Sequence, residues 1–268
     1  IVFSDSQNNA IKRMNADGTG IVTLATGFNL PMGIALQADG KIVVADFNNH
    51  SIKRINADGT GIVTLATLAT IHTIETAIAY PRYVAIQADG KILFTDDGNK
   101  GLYRMNPDGT SIVTLVKLSN SIRGFAIQPD GKIVAVIDTT IRRMDSDGSN
   151  MVTLATGFDY PTKVAIQADG KIVFTEGNTN AVKRMNADGS NIVTLATGLD
   201  FPTDVAIQAD GKIVIADYLN AAIKRISVAT TSNRVATTVQ LNVPTITSTQ
   251  TNVLCNGSAT GAIKISTT

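Results

Sequence analysis

Residues 164–196 read VAIQADGKIVFTEGNTNAVKRMNADGSNIVTLA, and this phrase recurs with small changes along the chain. The glycine of its Gln-x-Asp-Gly-Lys part falls at Gly40, Gly90, Gly131, Gly170 and Gly211, in steps of 50, 41, 39 and 41 residues. A period near forty residues, with one insertion of about nine, is too long for a leucine-rich repeat and fits a four-stranded propeller blade. The chain is therefore one supersecondary unit copied in series.

Each copy contains four short runs rich in Val, Ile, Thr and Leu, which in the quoted copy are 164–167, 171–175, 181–186 and 191–196. Asp-Gly pairs separate the first run from the second and the third from the fourth. Asp-Gly between β-type runs indicates a tight hairpin, and we expect type I′ turns because Gly accepts a positive φ. Replacing one of these glycines by Ala is expected to cost about 1 kcal/mol.

Counting the strands predicts the architecture. Second strands begin at six places, Ile1, Lys41, Lys91, Lys132, Lys171 and Lys212, but first strands begin at only five, Pro31, Pro81, Ile122, Pro161 and Pro202. Residues 241–252 align with 199–210 at a Leu, a Pro, a Thr and a Gln, so we expect this segment to supply the missing strand. The prediction is an all-β, six-bladed β-propeller of four-stranded antiparallel blades over residues 1–250, with the ring closed by a C-terminal strand that completes the first blade.

The pattern resembles the six-bladed propellers of the NHL and YWTD types. The resemblance rests on the Pro-x-x-Val-Ala start of first strands, the acid that ends second strands at Asp46, Asp96 and Asp217, and the Ile-x-Arg-x-Asn-x-Asp-Gly phrase of residues 11–18. It implies the fold. Propellers of these families include lyases, lactonase-like hydrolases, receptors and adhesive modules, so the fold does not choose among functions.

Composition and charge argue against two kinds of partner, nucleic acid and the interior of a membrane. The formal net charge is +1, which argues against nucleic acid, and no apolar run approaches the roughly 20 residues that span a bilayer, so we expect no transmembrane segment. An arginine recurs in all six third strands, which favours a repeated structural contact: Arg13, Arg54, Arg104, Arg143, Arg184 and Arg225.

Metal and cofactor sites are not expected. Cys255 is the single cysteine and there are two histidines, which excludes a Cys-based zinc site and a histidine network. An acid heads each loop between second and third strands, at Asp5, Asp46, Asp96, Asp138, Glu176 and Asp217. Acids at loop starts usually accept backbone N–H bonds, and we expect that role here rather than metal binding.

The face opposite the Asp-Gly hairpins is where the copies diverge, and divergence is where specific recognition can arise. The insertion at 67–80 also falls on this face. The chemically varied residues there form the predicted ligand-binding set: His50, His72, Glu75, Arg82, Tyr83, Asp96, Asp97, Arg123, Lys163 and Asp204. We hypothesise that Arg82 and Arg123 pair an anionic or hydroxyl-rich group on which Tyr83 stacks. The alternative is that the insertion is a solvated lid and both histidines are surface residues.

The C-terminal residues 247–266 resemble the start of the SprB-type repeats of Bacteroidota surface proteins. The matching residues are Thr251, Asn252, Val253, Cys255, Asn256, Gly257, Gly261 and Ile263. The resemblance implies a secreted, cell-surface protein with further domains, in which residues 251–268 begin a following β module. The alternative is that these residues form an extension that packs on the propeller.

Three functions follow from these observations. The first is a non-catalytic extracellular binding or adhesion module that takes a protein or glycan ligand on the variable face, with no catalytic residue. The second is a hydrolase or lyase with a carboxylate-bound metal, for which Asp96 and Asp204 are the candidate ligands. The third is a rigid structural or self-assembling scaffold.

Overall fold

The computed structural model describes residues 1–67, 78–226 and 263–264, and in these residues the chain forms six antiparallel sheets. The first blade contains β1 (Val2–Asp5), β2 (Ala10–Arg13) and β3 (Val22–Ala25). The second contains β4 (Pro31–Leu36), β5 (Ile42–Asp46), β6 (Ser51–Ile55) and β7 (Val63–Thr67). Short 3₁₀ turns, Ser6–Asn8 and Phe47–Asn49, follow β1 and β5.

The remaining blades repeat this order. Blade 3 contains β8 (Pro81–Ile86), β9 (Ile92–Asp96), β10 (Gly101–Met105) and β11 (Val113–Lys117). Blade 4 contains β12 (Ile122–Ile127), β13 (Ile133–Ile137), β14 (Thr140–Met144) and β15 (Val152–Ala155). Blade 5 contains β16 (Pro161–Ile166), β17 (Ile172–Glu176), β18 (Ala181–Met185) and β19 (Val193–Ala196). Blade 6 has three described strands, β20 (Pro202–Ile207), β21 (Ile213–Asp217) and β22 (Ala222–Ile226).

The hydrophobic core lies between neighbouring blades. At the junction of blades 4 and 5, for example, Val136 and Ile141 pack with Phe158 and Phe174, whose ring centroids are 4.7 Å apart. The junction of blades 6 and 1 is closed in the same way by Phe3, Met14 and Val214. Burial of the apolar face of every sheet against its neighbour is what makes forty-residue copies stable as a ring.

A strand from the end of the chain completes the first blade, as predicted, but it is not the segment near Pro244. The short strand β23 (Ile263–Lys264) pairs antiparallel with β1, through Val2 with Lys264 and Phe3 with Ile263. It lies beside both β4 and β20, which places it in the inner position of blade 1. Residues 241–252 lie outside the described part of the chain. The weak alignment there matched four residues, which did not suffice to fix the register of the closing strand.

Three of the six repeated arginines make a structural contact with the following blade, of the kind expected. Arg54 donates to the Pro107 carbonyl at 3.1 Å and Arg143 to the Ala187 carbonyl at 3.1 Å, in each case in the following blade. Arg225 of blade 6 donates to the Ala16 carbonyl of blade 1 at 2.8 Å. The same contact therefore also links the last blade to the first.

The Asp-Gly hairpins form where the sequence predicts them, but their turn type differs from the expected type I′. In the loop between β4 and β5, the Gln37 N–H donates to the Lys41 carbonyl at 2.8 Å and the Gly40 N–H donates to the Gln37 carbonyl at 3.0 Å. Only Gly40 has a positive φ, of 82°, whereas a type I′ turn needs two such residues. The loop is thus a three-residue hairpin with a glycine bulge, because Ala38 as well as Asp39 belongs to it.

Candidate ligand cavity over blades 3 to 6

A cavity of about 600 Å³ opens on the face opposite the Asp-Gly hairpins. Blades 3 and 4 contribute Arg82, Tyr83, Asp97, Ser121, Arg123 and Asp138, together with Asn120. Blades 5 and 6 contribute Tyr160, Thr162, Phe201, Thr203 and Tyr218. The volume is within the roughly 300–1,000 Å³ that small-molecule sites occupy, and the wall combines aromatic rings with a few converging polar groups.

The start of each inner strand positions these side chains. In all five of the inner strands β4, β8, β12, β16 and β20, the register against the second strand shifts within the first four residues. Such irregularities re-aim side chains that regular pairing would direct elsewhere. The second and third residues of these strands therefore differ between blades without any change in the sheet behind them.

Arg82 is held by Asp97. Its Nη1 lies 2.7 Å from Asp97 Oδ2, and about a quarter of the Arg82 side chain is exposed. Burial alone would lower the pKa of the Arg82 guanidinium, but the Tyr83 phenol and the Asp97 carboxylate raise it above its ordinary value. Arg82 is therefore a cation whose charge is already neutralised on the cavity wall.

Tyr83 forms part of the cavity floor. Its side chain is 2% exposed, with Lys163 Nζ 4.2 Å and the Arg82 guanidinium 5.7 Å from the ring centroid. Gly124 permits this arrangement, because a Cβ there would lie 2.9 Å from the Lys163 side chain. Since Lys163 covers the Tyr83 ring, another aromatic residue is better placed to stack on a ligand.

Three aromatic residues that the sequence reasoning missed stand at the rim. Tyr160 is 39% exposed, its ring centroid lies 5.4 Å from that of Phe201, and Phe201 lies 6.3 Å from Tyr218. Tyr160, Phe201 and Tyr218 are called the aromatic row below. The signal was available, since two of these residues directly precede the Pro that begins an inner strand.

Arg123 packs on the aromatic row. Its guanidinium carbon lies 3.9 Å from the Tyr160 ring centroid, a cation–π contact. Among the described residues no carboxylate forms an ion pair with Arg123. The contact orients the guanidinium beside the cavity while leaving its N–H groups available to a ligand.

The backbone holds the aromatic row in place. Tyr160 and Phe201 have positive φ angles of 56° and 53°, and Leu30 at the same position in blade 2 has 53°. The Phe201 N–H donates to the side-chain carbonyl of Asn180 at 2.8 Å, and the Leu30 N–H donates to that of Asn9 at 2.8 Å. Equivalent residues of three blades share this positive φ, and in blades 5 and 6 the residue that adopts it is aromatic.

A buried hydroxyl lies beside the cavity in blade 6. Thr203 is 2% exposed, and its Oγ1 has no hydrogen-bond partner among the described residues. Thr162 occupies the same position in blade 5, and its hydroxyl donates to the Pro202 carbonyl at 2.9 Å and lies 2.6 Å from Thr175 Oγ1. The Thr203 hydroxyl is thus buried behind the cavity surface and lacks the bonds that Thr162 makes.

Three other predicted residues, Asp96, Asp204 and His50, do not line the cavity. Asp96 accepts N–H bonds from Ala79 at 2.6 Å and Asn99 at 2.9 Å, and Asp204 accepts one from the Val205 N–H at 2.8 Å. His50 Nδ1 contacts the Ala79 carbonyl, and its ring lies 4.9 Å from that of Tyr80. His72 and Glu75 lie outside the described residues. Among the ten predicted residues, Arg82, Tyr83, Asp97 and Arg123 line the cavity and Lys163 covers its floor.

The strand-end acids have the structural role expected of them, with one difference of position. Asp46, for example, accepts the Asn29 N–H at 2.7 Å and pairs with Lys53 at 2.6 Å, and Asp5, Glu176 and Asp217 also pair with a lysine. In blade 4 the buried position is occupied by Ile137, and Asp138 lies one residue later. Asp138 still heads the loop of blade 4, but because that loop is shorter it lies beyond the buried position and accepts a hydrogen bond from the Asn120 side-chain amide. No cluster of three or more metal-ligating side chains occurs in the described ranges.

Comparison with known proteins agrees with this architecture. The family model of the NHL repeat matches residues 28–55. A comparison with curated proteins gives no significant match. The NHL match spans β4 to β6 of blade 2, whose pattern the other blades repeat.

Several solved propellers are similar in fold. The nidogen/laminin complex matches with a TM-score of 0.73 at 18% identity, over 84% of this chain and 88% of that chain. A gluconolactonase from Xanthomonas campestris matches with a TM-score of 0.70 at 18% identity, over 81% of this chain and 78% of that chain. Virginiamycin B lyase from Staphylococcus aureus matches with a TM-score of 0.60 at 22% identity, over 74% of this chain and 67% of that chain. These identities establish the fold alone. Within the described residues, no helix has the length and apolarity needed to cross a membrane.

Proposed function

We propose that the protein is a non-catalytic extracellular binding or adhesion module whose ligand occupies the cavity over blades 3 to 6. The observation that carries this proposal is the aromatic row, of which Tyr160 is exposed, beside the oriented guanidinium of Arg123. Arg123 stands on the inner strand β12, whereas the row occupies loops directly before β16 and β20 and directly after β21, in blades that are otherwise near-copies of each other. Aromatic rings and arginine supply much of the binding energy at recognition sites, since they bury a large area at low entropic cost.

The contacts of the candidate catalytic groups favour binding over catalysis. Asp96 and Asp204, which the metal-hydrolase alternative would use, are engaged by backbone N–H groups in blades 3 and 6. His50 is engaged by a backbone carbonyl and a tyrosine ring. The propellers of similar fold include a gluconolactonase and a lyase, so a hydrolase or lyase stays the alternative, as does a rigid scaffold.

The class of partner is a protein or a glycan. The similar fold in a nidogen/laminin complex supports a protein, and a cavity of about 600 Å³ with mixed polar and aromatic walls supports a glycan. The placement of this module at the surface of a cell is supported by the resemblance of residues 247–266 to SprB-type repeats. On this proposal the propeller is the head of a larger secreted protein, and its first blade includes Ile263–Lys264, so the domain boundary expected at residue 250 moves beyond these residues.

Binding on arrays tests the proposal. The protein is screened on a glycan array and on an array of extracellular-matrix proteins, and each ligand found is titrated against Arg123→Ala. We expect at least a tenfold loss of affinity, about 1.4 kcal/mol. Lys171→Ala, on the hairpin face, is the matched control and should bind as the wild type does. Failure to bind on either array, or equal affinity of the Arg123→Ala variant, would overturn the proposal.

A further inference from the structure

The formal charges of the residues that line the cavity cancel, and the Lys163 ammonium beside them is held against the Tyr83 ring. Arg82 and Arg123 supply two guanidinium groups, and Asp97 and Asp138 supply two carboxylates. Arg82 is paired with Asp97 at 2.7 Å, and Asp138 accepts a hydrogen bond from Asn120 at 2.9 Å. A carboxylate ligand would lose hydration in the cavity, and the attraction of Arg123 would be offset by the repulsion of Asp138, so the wall disfavours an anion relative to a neutral hydroxyl.

The polar atoms of the wall include both donors and acceptors. Asp138 supplies carboxylate acceptors, and Ser121 supplies a hydroxyl. Arg123 adds N–H donors that no described carboxylate neutralises. A ligand hydroxyl both donates and accepts, so a group of hydroxyls can bond an Asp oxygen, a Ser hydroxyl and an Arg N–H at once.

The aromatic row supplies an apolar surface beside these polar atoms. The ring centroids of Tyr160 and Phe201 are 5.4 Å apart, and Tyr218 continues the row. A pyranose ring has an apolar C–H face and a periphery of hydroxyls. It therefore matches both the row and the polar atoms, whereas an aliphatic ligand would remove water from Arg123 and Asp138 without replacing its hydrogen bonds.

We propose that the cavity binds a neutral, hydroxyl-rich saccharide and discriminates against its uronic-acid counterpart. This inference rests on the proposed function and gives its ligand class. The discrimination comes from the pairing of Arg82 with Asp97 and from the Asp138 carboxylate on the same wall. Without these two acids, the same arginines would favour an acidic sugar.

Matched pairs of sugars test this inference. The methyl glycosides of glucose, galactose and mannose are compared with the corresponding methyl uronides, which differ by one carboxylate in place of a hydroxymethyl group. Dissociation constants are measured by ligand-observed NMR with the full chain. We expect at least one hexoside to bind tenfold more tightly than its uronide, and Tyr160→Ala to lose that binding while Lys171→Ala keeps it.

A charge variant tests the cause of the preference. Asp138→Asn keeps an oxygen that accepts the Asn120 bond but removes the negative charge, so the uronide should gain at least threefold relative to the hexoside. Circular dichroism melting of this variant verifies that it folds. Tighter binding of uronides to the wild type, or an unchanged preference in a folded Asp138→Asn variant, would overturn the inference. So would an absence of saccharide binding, and in that case a protein ligand lost in Arg123→Ala would leave the proposed function standing.

Discussion

At the residue scale, two positions of each inner strand distinguish the blades. The second is Met32, Arg82, Arg123, Thr162 or Thr203, and the third is Gly33, Tyr83, Gly124, Lys163 or Asp204. The glycines make room for the neighbouring strand: a Cβ at Gly33 would lie 2.7 Å from the Arg82 carbonyl, and one at Gly124 would lie 2.7 Å from the Thr162 carbonyl. A small residue in one blade thus permits a large one in the next.

The two threonines at the second position should differ in their effect on stability. Thr162→Val removes a hydroxyl that bonds the Pro202 carbonyl and Thr175, so we expect a loss of about 1–3 kcal/mol. Thr203→Val removes a buried hydroxyl without a described partner, so we expect stability within about 0.5 kcal/mol of the wild type, or higher. Urea denaturation measures both variants, and an equal loss in the two would contradict this difference.

Part of the site could be predicted at this scale. Arg82 and Arg123 were found because they interrupt a repeated pattern. The aromatic row was not predicted, because no local pattern shows that the rings of neighbouring blades lie side by side. The stacking role proposed for Tyr83 does not fit its burial under Lys163, a contact that exists only in the folded ring. The pairing of Arg82 with Asp97 joins residues of two strands, so neither periodicity nor composition reveals it.

At the element scale, the two hairpins of a blade use glycine for different reasons. A Cβ at Gly170, with φ of 80°, would meet nothing within 4 Å, so Gly170→Ala should cost about 1 kcal/mol from the backbone alone. A Cβ at Gly189, with φ of 89°, would overlap the Leu154 carbonyl of the preceding blade. We therefore expect Gly189→Ala to cost about 2–4 kcal/mol.

Thermal or urea denaturation of the two variants makes this comparison directly, because Gly170 and Gly189 hold the equivalent turn position in the two Asp-Gly hairpins of blade 5. Equal losses would show that close packing between blades does not distinguish the hairpins. The sequence located both turns but assigned one cost to all the glycines, since contact with the neighbouring blade is not encoded in the local pattern.

The hairpins between third and fourth strands also predict a dependence on pH. In each, the hydroxyl and backbone N–H of a Thr or Ser two residues later hold the pKa of a turn aspartate below its ordinary value: Asp17, Asp58, Asp108, Asp147 and Asp188. Their contribution is complete above the unfolded pKa of about 3.9 and is lost as pH falls through the lower folded values.

We therefore expect the melting temperature to fall as the pH decreases below about 4. A variant with Asn at all five positions retains the acceptor oxygen but does not titrate there, so its melting temperature should fall less steeply with acid. Melts between pH 7 and pH 3 compare the two proteins. Parallel curves would mean that these turns do not contribute to acid sensitivity.

At the scale of the whole molecule, a short strand closes the ring. β23 pairs with β1 and lies beside β4 and β20, while Arg225 links blade 6 to Ala16 of blade 1. Removing residues 263–268 leaves the inner edge of β1 unpaired, so we expect the melting temperature to fall by at least about 3 °C. Removing 267–268 alone is the control. An unchanged melting temperature would show that another segment, such as 241–252, holds the inner position of blade 1.

The number of blades, their strands and the face that diverges all follow from the sequence, because a strict repeat fixes them. The place where the ring closes does not, since β23 is outside the repeat and its short sequence carries no distinguishing pattern. The cavity likewise exists only in the assembled ring, because its wall contains residues of four blades. The first and last of these residues, Arg82 and Tyr218, are 136 positions apart in the sequence.

A crystal structure of the protein with its tightest array ligand at a saturating concentration tests the central claim most directly. We predict ligand density in the cavity, in contact with Arg123 and against the rings of Tyr160 and Phe201. Ligand density on another surface, with only solvent between those three residues, would contradict the assignment of this cavity as the binding site.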